Sequence, residues 1–288
     1  MGILTISERG LPLQNGWIGR LDELNRQLGE AFSAEGLGTE TQRRQVLSDH
    51  VGPIRGLSRL ADQALQGTLG GRPLAGVDGS ISSFGGEYPH YIDFLRALAM
   101  STDGKRVVSH DLYCPLAELR RDWGGAAAER DNERRQQNLA ELEMRVAVEV
   151  AEQVRPALLL LDGPLVRFDM RANRSFNILR QKVLQYNILL CGCIENIESR
   201  VISSLLPEGV SVSWRGAFDR DILWGVLQSG EILEIENPAK GRGGTGTPRQ
   251  VGPSIRTWFM RASWEPGVVG IDMLEEQVEE FRPFVDYL

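Results

Sequence analysis

Two short runs that each end in Asp-Gly constrain this chain more than anything else in it. Leu74-Ala75-Gly76-Val77-Asp78-Gly79-Ser80 sets one carboxylate among apolar residues and glycines, and Ala157-Leu158-Leu159-Leu160-Leu161-Asp162-Gly163 repeats the theme. Apolar runs of roughly four to eight residues closed by turn residues read as buried strands. A carboxylate buried without a partner is costly, so such strands need a cation or hydrogen-bond donors nearby. Two strands that each deliver an Asp to one edge of a sheet point to a site at that edge.

The sequence between and around the two runs sets the fold class. Ser82-Ser83-Phe84-Gly85-Gly86 suits a turn, and the apolar-rich runs Tyr91 to Met100 and Arg106 to Tyr113 flank Ser101-Thr102-Asp103-Gly104, where Asp-Gly signals a hairpin. Three antiparallel strands result. A long charged helix is predicted from Ala126 to Val154, its apolar stripe formed by Leu139, Leu142, Val146, Ala147, Val150 and Val154. Glu143 falls within that stripe, whereas Glu141, Arg145, Glu149 and Glu152 fall toward the other side. After the strand Ala157–Asp162 come a loop with Arg167, Asp169, Arg171 and Arg174, and a helix carrying Phe176, Leu179, Val183 and Tyr186. The strand Ile188–Ile194 and a helix near Glu198 to Leu206 follow. The expected class is α/β: a mixed sheet of three antiparallel strands followed by βα units, the ribonuclease-H-like order.

The ends read differently. Residues 1–70 are expected to form an N-terminal helical element, with Leu21, Leu24, Leu28 and Phe32, and Leu57, Leu60, Ala64 and Leu65, at helical spacing. Residues 71–288 make the main domain. Its C-terminal extension comprises a short helix over Phe218–Leu227, strands over Glu231–Ile235 and Ile255–Ser263, and an amphipathic helix over Met273–Leu288. Asn237 to Pro253 is a basic glycine- and proline-rich loop with Lys240, Arg242 and Arg249, either a linker or a loop that grips a nucleic-acid backbone.

A net charge of -7 argues against holding nucleic acid by bulk charge, but a local basic groove or a bound divalent metal offsets acidic residues. Cys114, Cys191 and Cys193 are too few for a disulfide framework, and core packing is their simplest reading. No G-x-x-x-x-G-K-[ST] occurs, which excludes a nucleoside-triphosphate P-loop. There is no signal-peptide pattern and no run that could span a membrane, so a cytoplasmic protein is expected.

Strand order places Asp78 on the first strand of the domain, Glu143 on the long helix and Asp162 at the end of the fourth strand. This Asp, Glu, Asp order is that of the ribonuclease-H-like fold, where the three converge at one sheet edge. Carboxylates suit hard cations such as Mn²⁺ or Mg²⁺, and two such ions can activate water and stabilise the leaving oxygen of a phosphodiester. Glu141 is the alternative helix ligand if the helix register differs by two. Zinc fits poorly, since the histidines are His50, His90 and His110 alone.

These residues resemble the NurA family of nucleases. The likeness rests on Gly76-Val77-Asp78-Gly79-Ser80-Ile81, on Leu142-Glu143-Met144, and on Leu159-Leu160-Leu161-Asp162-Gly163-Pro164-Leu165. It continues in Asp219-Arg220-Asp221-Ile222-Leu223 and Ser229-Gly230-Glu231. The resemblance implies a manganese-dependent deoxyribonuclease with single-strand endonuclease and 5′-to-3′ exonuclease activity. It also implies a homodimer that works with a hexameric HerA-type ATPase in DNA end processing for repair or in phage defence. By matching motifs, Asp78, Glu143 and Asp162 would be the metal ligands and catalytic residues.

The chain departs from that family pattern in its C-terminal segment. The family commonly has a tyrosine and a histidine there; Trp258 and Phe259 stand on the aromatic strand and no histidine follows His110. Asp272 lies where the histidine is expected, as a fourth ligand or as the N-cap of the terminal helix. Glu195-Asn196 and Ser199-Arg200 stand where a lysine is often found. Two other readings remain at this stage: a degenerate nuclease fold serving as adaptor for a DNA motor, and an actin-like or sugar-kinase-like phosphotransferase using Val77–Ser83 as a phosphate loop.

Overall fold

The computed structural model describes residues 19–24, 26–27, 38–58, 61–118, 127–207, 210, 214, 217–235 and 255–285. Residues 19–24 are helical, while Leu28, Phe32, Leu60 and the basic positions Lys240, Arg242 and Arg249 lie outside the described residues. In chain order the elements are α1 (Glu40–His50), β1 (Ile54–Gly56), α2 (Asp62–Leu69), β2 (Leu74–Gly85), β3 (Tyr91–Ser101) and β4 (Arg106–Tyr113). Next come α3 (Pro115–Glu118), α4 (Ala127–Gln153), β5 (Leu158–Asp162), α5 (Leu165–Arg171), α6 (Asn173–Gln185) and β6 (Leu189–Ile194). Then follow α7 (Val201–Leu205), α8 (Asp219–Leu223), β7 (Glu231–Glu234), β8 (Ile255–Arg261), β9 (Val269–Leu274) and α9 (Val278–Val285).

All nine strands join one sheet in the order β1-β7-β8-β9-β6-β5-β2-β3-β4. Strands β2 to β4 are antiparallel neighbours, and β5 and β6 run parallel to β2. That is the mixed α/β, ribonuclease-H-like arrangement, with β2 at its centre. The other half is antiparallel: β9 pairs with β6, β8 with β9, β7 with β8, and β1 with β7. The N-terminal stretch thus supplies a strand as well as helices, because Ile54–Gly56 closes the far edge of the sheet.

Helix α4 lies across β2 and β3 on the face lined by Ala75, Val77, Leu95, Ala97 and Ala99. The small strand residues let the helix approach closely, and Leu139, Leu142, Val146 and Val150 are buried there. Full burial of one such leucine stabilises by about 2 kcal/mol. On the opposite face, Phe281 and Phe284 of α9 cover β5 to β9 through Leu158, Leu189, Ile232 and Met273. A separate cluster joins Leu47 and Val51 of the N-terminal stretch to Ile222, Leu223, Leu233 and Phe259.

Three local expectations are corrected. β2 does not turn at Ser82 but runs on to Gly85, pairing with β3 as far as Tyr91. Gly85 is where it must stop: its φ is +118° and a β-carbon there would stand 2.7 Å from the His90 carbonyl oxygen. The segment bearing Arg167, Asp169 and Arg171 is helix α5 rather than loop, since Leu165, Phe168 and Ala172 fall at one face and are buried. Finally, Met273 and Leu274 end strand β9 instead of opening a helix. Strands buried on both faces read as unbroken apolar runs, which periodicity cannot distinguish from helix.

Candidate active site

Asp78 and Asp162 reach the same place because β2 and β5 are parallel and in register. The pairing ends at Val77↔Leu161, so the two aspartates follow as the next neighbours on one face. The charge of Asp78 bears directly on Asp162. With Gly76, Leu98, Met100, Leu160 and Cys193 they line a recess of about 280 Å³ on the sheet face away from α4.

Glu143 approaches from the other side. It sits on the buried stripe of α4 at 3% exposure, directly over Gly79. A β-carbon at Gly79 would stand 2.6 Å from Glu143 Oε1 and 2.8 Å from its Cγ, so only glycine lets the carboxylate rest there. The alternative helix residue, Glu141, is turned to α6, where Ser175 Oγ donates to its Oε2 at 2.5 Å. The three carboxylates thus straddle the central strand where β5 ends and leaves its edge open.

Burial, first of all, pushes the Glu143 carboxyl up to about 7; Arg167 opposes this, and the charges of Asp78 and Asp162 add to it. Asp162 is likewise raised, by burial and then by the charge of Asp78, with Arg167 again opposing. Arg167 is the cation among these acids: its Nη2 donates to Glu143 Oε2 at 2.8 Å and to the Asp162 carbonyl oxygen at 3.0 Å. Its guanidinium lies 4.4 Å from the centre of the Phe168 ring, and its buried Nε has no hydrogen-bond partner. Glu195 is a further acid whose charge bears on Asp162.

The loop that follows Asp162 is fixed from beneath. Gly163 N–H donates to the Cys193 carbonyl at 2.7 Å, and Gly163 takes a φ of +106°. Gly192 gives the room, since a β-carbon on it would stand 2.7 Å from the Gly163 carbonyl oxygen. Asp272, mid-strand in β9 and 2% exposed, accepts from Leu165 N–H at 2.9 Å and from Thr257 Oγ1 at 2.6 Å. It is therefore not a helix cap. Burial raises its carboxyl to about 6 against those two donors.

The structure brings Asp78 and Asp162 together, sets Glu143 against the same strand, and holds Asp272 farther along the sheet on β9, tied to the Asp162 loop through Leu165. Among the described residues no three carboxylate, imidazole or thiol groups converge tightly enough to hold one ion as they stand. The donor chemistry nevertheless fits a hard divalent cation, because the carboxylate oxygens of Asp78 and Asp162 stand side by side and Glu143 lies against the same strand. Arg167, Glu195 and Thr257 did not stand out in the sequence. The one signal for Arg167 was its place in the first turn after Asp162-Gly163-Pro164.

A family model described as the NurA domain matches residues 72–286. No curated protein matches the chain. Among solved structures, endonuclease V of Ciona intestinalis, in complex with a 24mer DNA containing an inosine followed by a ribo-adenosine, is 12% identical, covering 91% of this chain and 89% of that one with a TM-score of 0.35. The catalytic domain of human endonuclease V is 13% identical, covering 81% and 79%, with a TM-score of 0.31.

Proposed function

Because the chain belongs to the NurA domain family of nucleases, we propose that it hydrolyses DNA phosphodiesters with Mn²⁺ or Mg²⁺ held by Asp78, Asp162 and Glu143. The observation that supports this most directly is the placing of Asp78 and Asp162 side by side on β2 and β5, with Glu143 against the same strand at Gly79. A divalent ion bound there supplies positive charge to a phosphate oxygen and makes water a better nucleophile. The chain's own parts follow from the geometry. Asp78 and Asp162 offer the acceptor pair, and Glu143, with a carboxyl near 7, can carry or release a proton at neutral pH. Arg167 holds Glu143 in place and presents a guanidinium suited to a phosphate oxygen once that carboxylate turns away. Asp272 acts through Leu165, fixing the backbone that follows Asp162.

The finer reading is a nuclease with single-strand endonuclease and 5′-to-3′ exonuclease activity, acting as a homodimer. It would serve a hexameric HerA-type translocase in end processing for repair or in phage defence, inside the cell. Residues 71–288 are taken as the nuclease domain and residues 1–70 as an appended element. The family's habits support this reading. No helix among the described residues is long and apolar enough to cross a membrane.

Two alternatives fare differently. The phosphate-loop reading loses its basis, because Val77–Ser83 is continuous strand paired to β3. The adaptor reading draws support from the Arg167–Glu143 pair, which neutralises the third acid without any ion. Incubating the protein with labelled single-stranded DNA and Mn²⁺ separates them. The nuclease reading expects EDTA-sensitive degradation that Asp78→Asn and Asp162→Asn each abolish. Undiminished degradation by Asp78→Asn sinks the site assignment, and no degradation by the parent, alone or with its ATPase, favours the adaptor.

A further inference from the structure

One face of β2, β3 and β4 is apolar and uncovered. Alternation puts the even-numbered residues of these strands on the side away from α4. There Phe84, Ile92, Phe94, Met100, Val108 and Leu112 remain exposed, Leu112 at 69% and Phe84 at 65%. On the same side of the sheet α9 covers the strands from β5 onward, so the uncovered part begins at β2. The patch is continuous with the recess that holds Asp78, because Leu98 and Met100 line both.

The registers arrange this face in rows. Asp78, Leu98 and Val108 form one; Ser80, Arg96 and His110 the next; Ser82, Phe94 and Leu112 the third; Phe84 and Ile92 the fourth. Phe94 and His110 stack with ring centres 5.5 Å apart. The third row lies about 14 Å along the strands from the first, at ~3.4 Å per residue. On the rows of β3 and β4 the charged residues are the cations Arg96 and Arg106, and the acids Asp78 and Asp162 stand together at the recess end.

We infer that this face is a track for unpaired DNA, on which bases stack against Phe94, His110 and Phe84 while Arg96 and Arg106 meet phosphates, leading the strand to Asp78. The inference rests on the nuclease reading and adds to it the surface that a single strand follows to the site. A duplex keeps its bases inside and offers this face only phosphates, whereas an unpaired strand offers π-faces to rings and aliphatic side chains as well. A second copy packed on this face would bury Arg96 and Arg106 where the rows of β3 and β4 offer no acid to pair them. A single strand satisfies both the apolar and the cationic part.

The test is anisotropy of a fluorescein-labelled oligothymidylate with the full chain in EDTA, beside cleavage in Mn²⁺. Phe94→Ala and His110→Ala should each weaken binding roughly tenfold, Phe94→Trp should restore it, and Arg96→Glu should weaken it while flattening its salt dependence. These side chains are exposed or stacked at the surface, so melting temperatures should hold. Unchanged affinity of Phe94→Ala in a parent that binds and cleaves overturns the track and leaves the nuclease reading standing. Phe94-dependent binding by a parent that never cleaves supports the track and overturns that reading. A parent that does neither overturns both. If Phe94→Ala and Leu112→Ala instead split a dimer with affinity per protomer unchanged, the face joins two copies and the inference falls.

Discussion

Glu143 rests on Gly79: the space a β-carbon would occupy at Gly79 is already taken by the glutamate's Oε1, 2.6 Å away. The glycine of the first Asp-Gly pair therefore serves the helix rather than a turn. Gly79→Ala must push Glu143 aside, and overpacking of this kind costs about 1–3 kcal/mol. Displacing a reacting carboxylate by about an ångström lowers the rate by roughly two orders of magnitude. Cleavage assays and thermal melts on the same preparation check both; a variant that cleaves like the parent removes Glu143 from the site.

Asp162 stands beside Asp78 and is raised by its charge. Asp162→Asn removes that repulsion, so in EDTA the variant should melt at a higher temperature than the parent. In Mn²⁺ the order should reverse, because ligand binding stabilises by about 2.7 kcal/mol at a hundredfold excess over Kd and the variant forgoes it. Parallel melting curves with and without Mn²⁺ decide; equal Mn²⁺ shifts in both proteins would falsify the shared-ion assignment.

Glu143 has a carboxyl near 7 against an ordinary 4.5, raised chiefly by burial. A raised carboxyl stabilises the fold fully below the ordinary range, and that contribution disappears as pH rises through about 7. In EDTA the melting temperature should accordingly fall as pH rises from about 4.5 to about 7 and level off above that. Mn²⁺-dependent cleavage should climb across neutral pH, as Glu143 ionises. Arg167→Met takes away the cation that opposes the shift, so its cleavage profile should move to higher pH. A profile unmoved by that change leaves Arg167 without influence on the reacting acid.

Thr257 Oγ1 donates to Asp272, a buried carboxylate raised to about 6. A hydrogen bond to a charged group is worth about 1.5–3 kcal/mol, a neutral one less. Thr257→Val should thus lose about 2 kcal/mol in urea denaturation at pH 8 and distinctly less at pH 5, where Asp272 is protonated in the folded state. Because Asp272 holds Leu165, cleavage at pH 8 should fall as well. An equal loss of stability at both pH values would mean that the carboxylate is not the partner that matters.

The parts of this molecule that show in the sequence are those with a single strong period. Helix α4 ends at Gln153, one residue short of where its stripe predicts, because Leu139, Leu142, Val146 and Val150 leave no other register. The same stripe picks Glu143 over Glu141. The apolar-rich runs on either side of Asp103-Gly104 likewise yield β3 and β4. Strand β9 is misread because Ile271, Met273 and Leu274 are buried on both sides and carry no period. A helix placed there lets Asp272 read as a cap as readily as a fourth ligand. Arg167 meets Glu143 across 24 residues of sequence, a pairing set by how α5 folds back from β5, and nothing local announces it. Nor does local pattern reveal that Asp78 and Glu143 come from opposite faces of one strand.

Strand β9 joins the two halves of the sheet, with β6 on one side and β8 on the other. During synthesis β2, α4 and β5 leave the ribosome long before it, so the carboxylates exist in a partly built sheet while Asp272 and Thr257 are still to come. Contacts this distant along the chain form late, after the loop-closure entropy has been met. The backbone at Leu165 is consequently pinned only once β9 has slotted in beside β6. Competence to cut is acquired at the end of folding, and a chain stalled before β9 carries the acids of the site without the strand that fixes their loop.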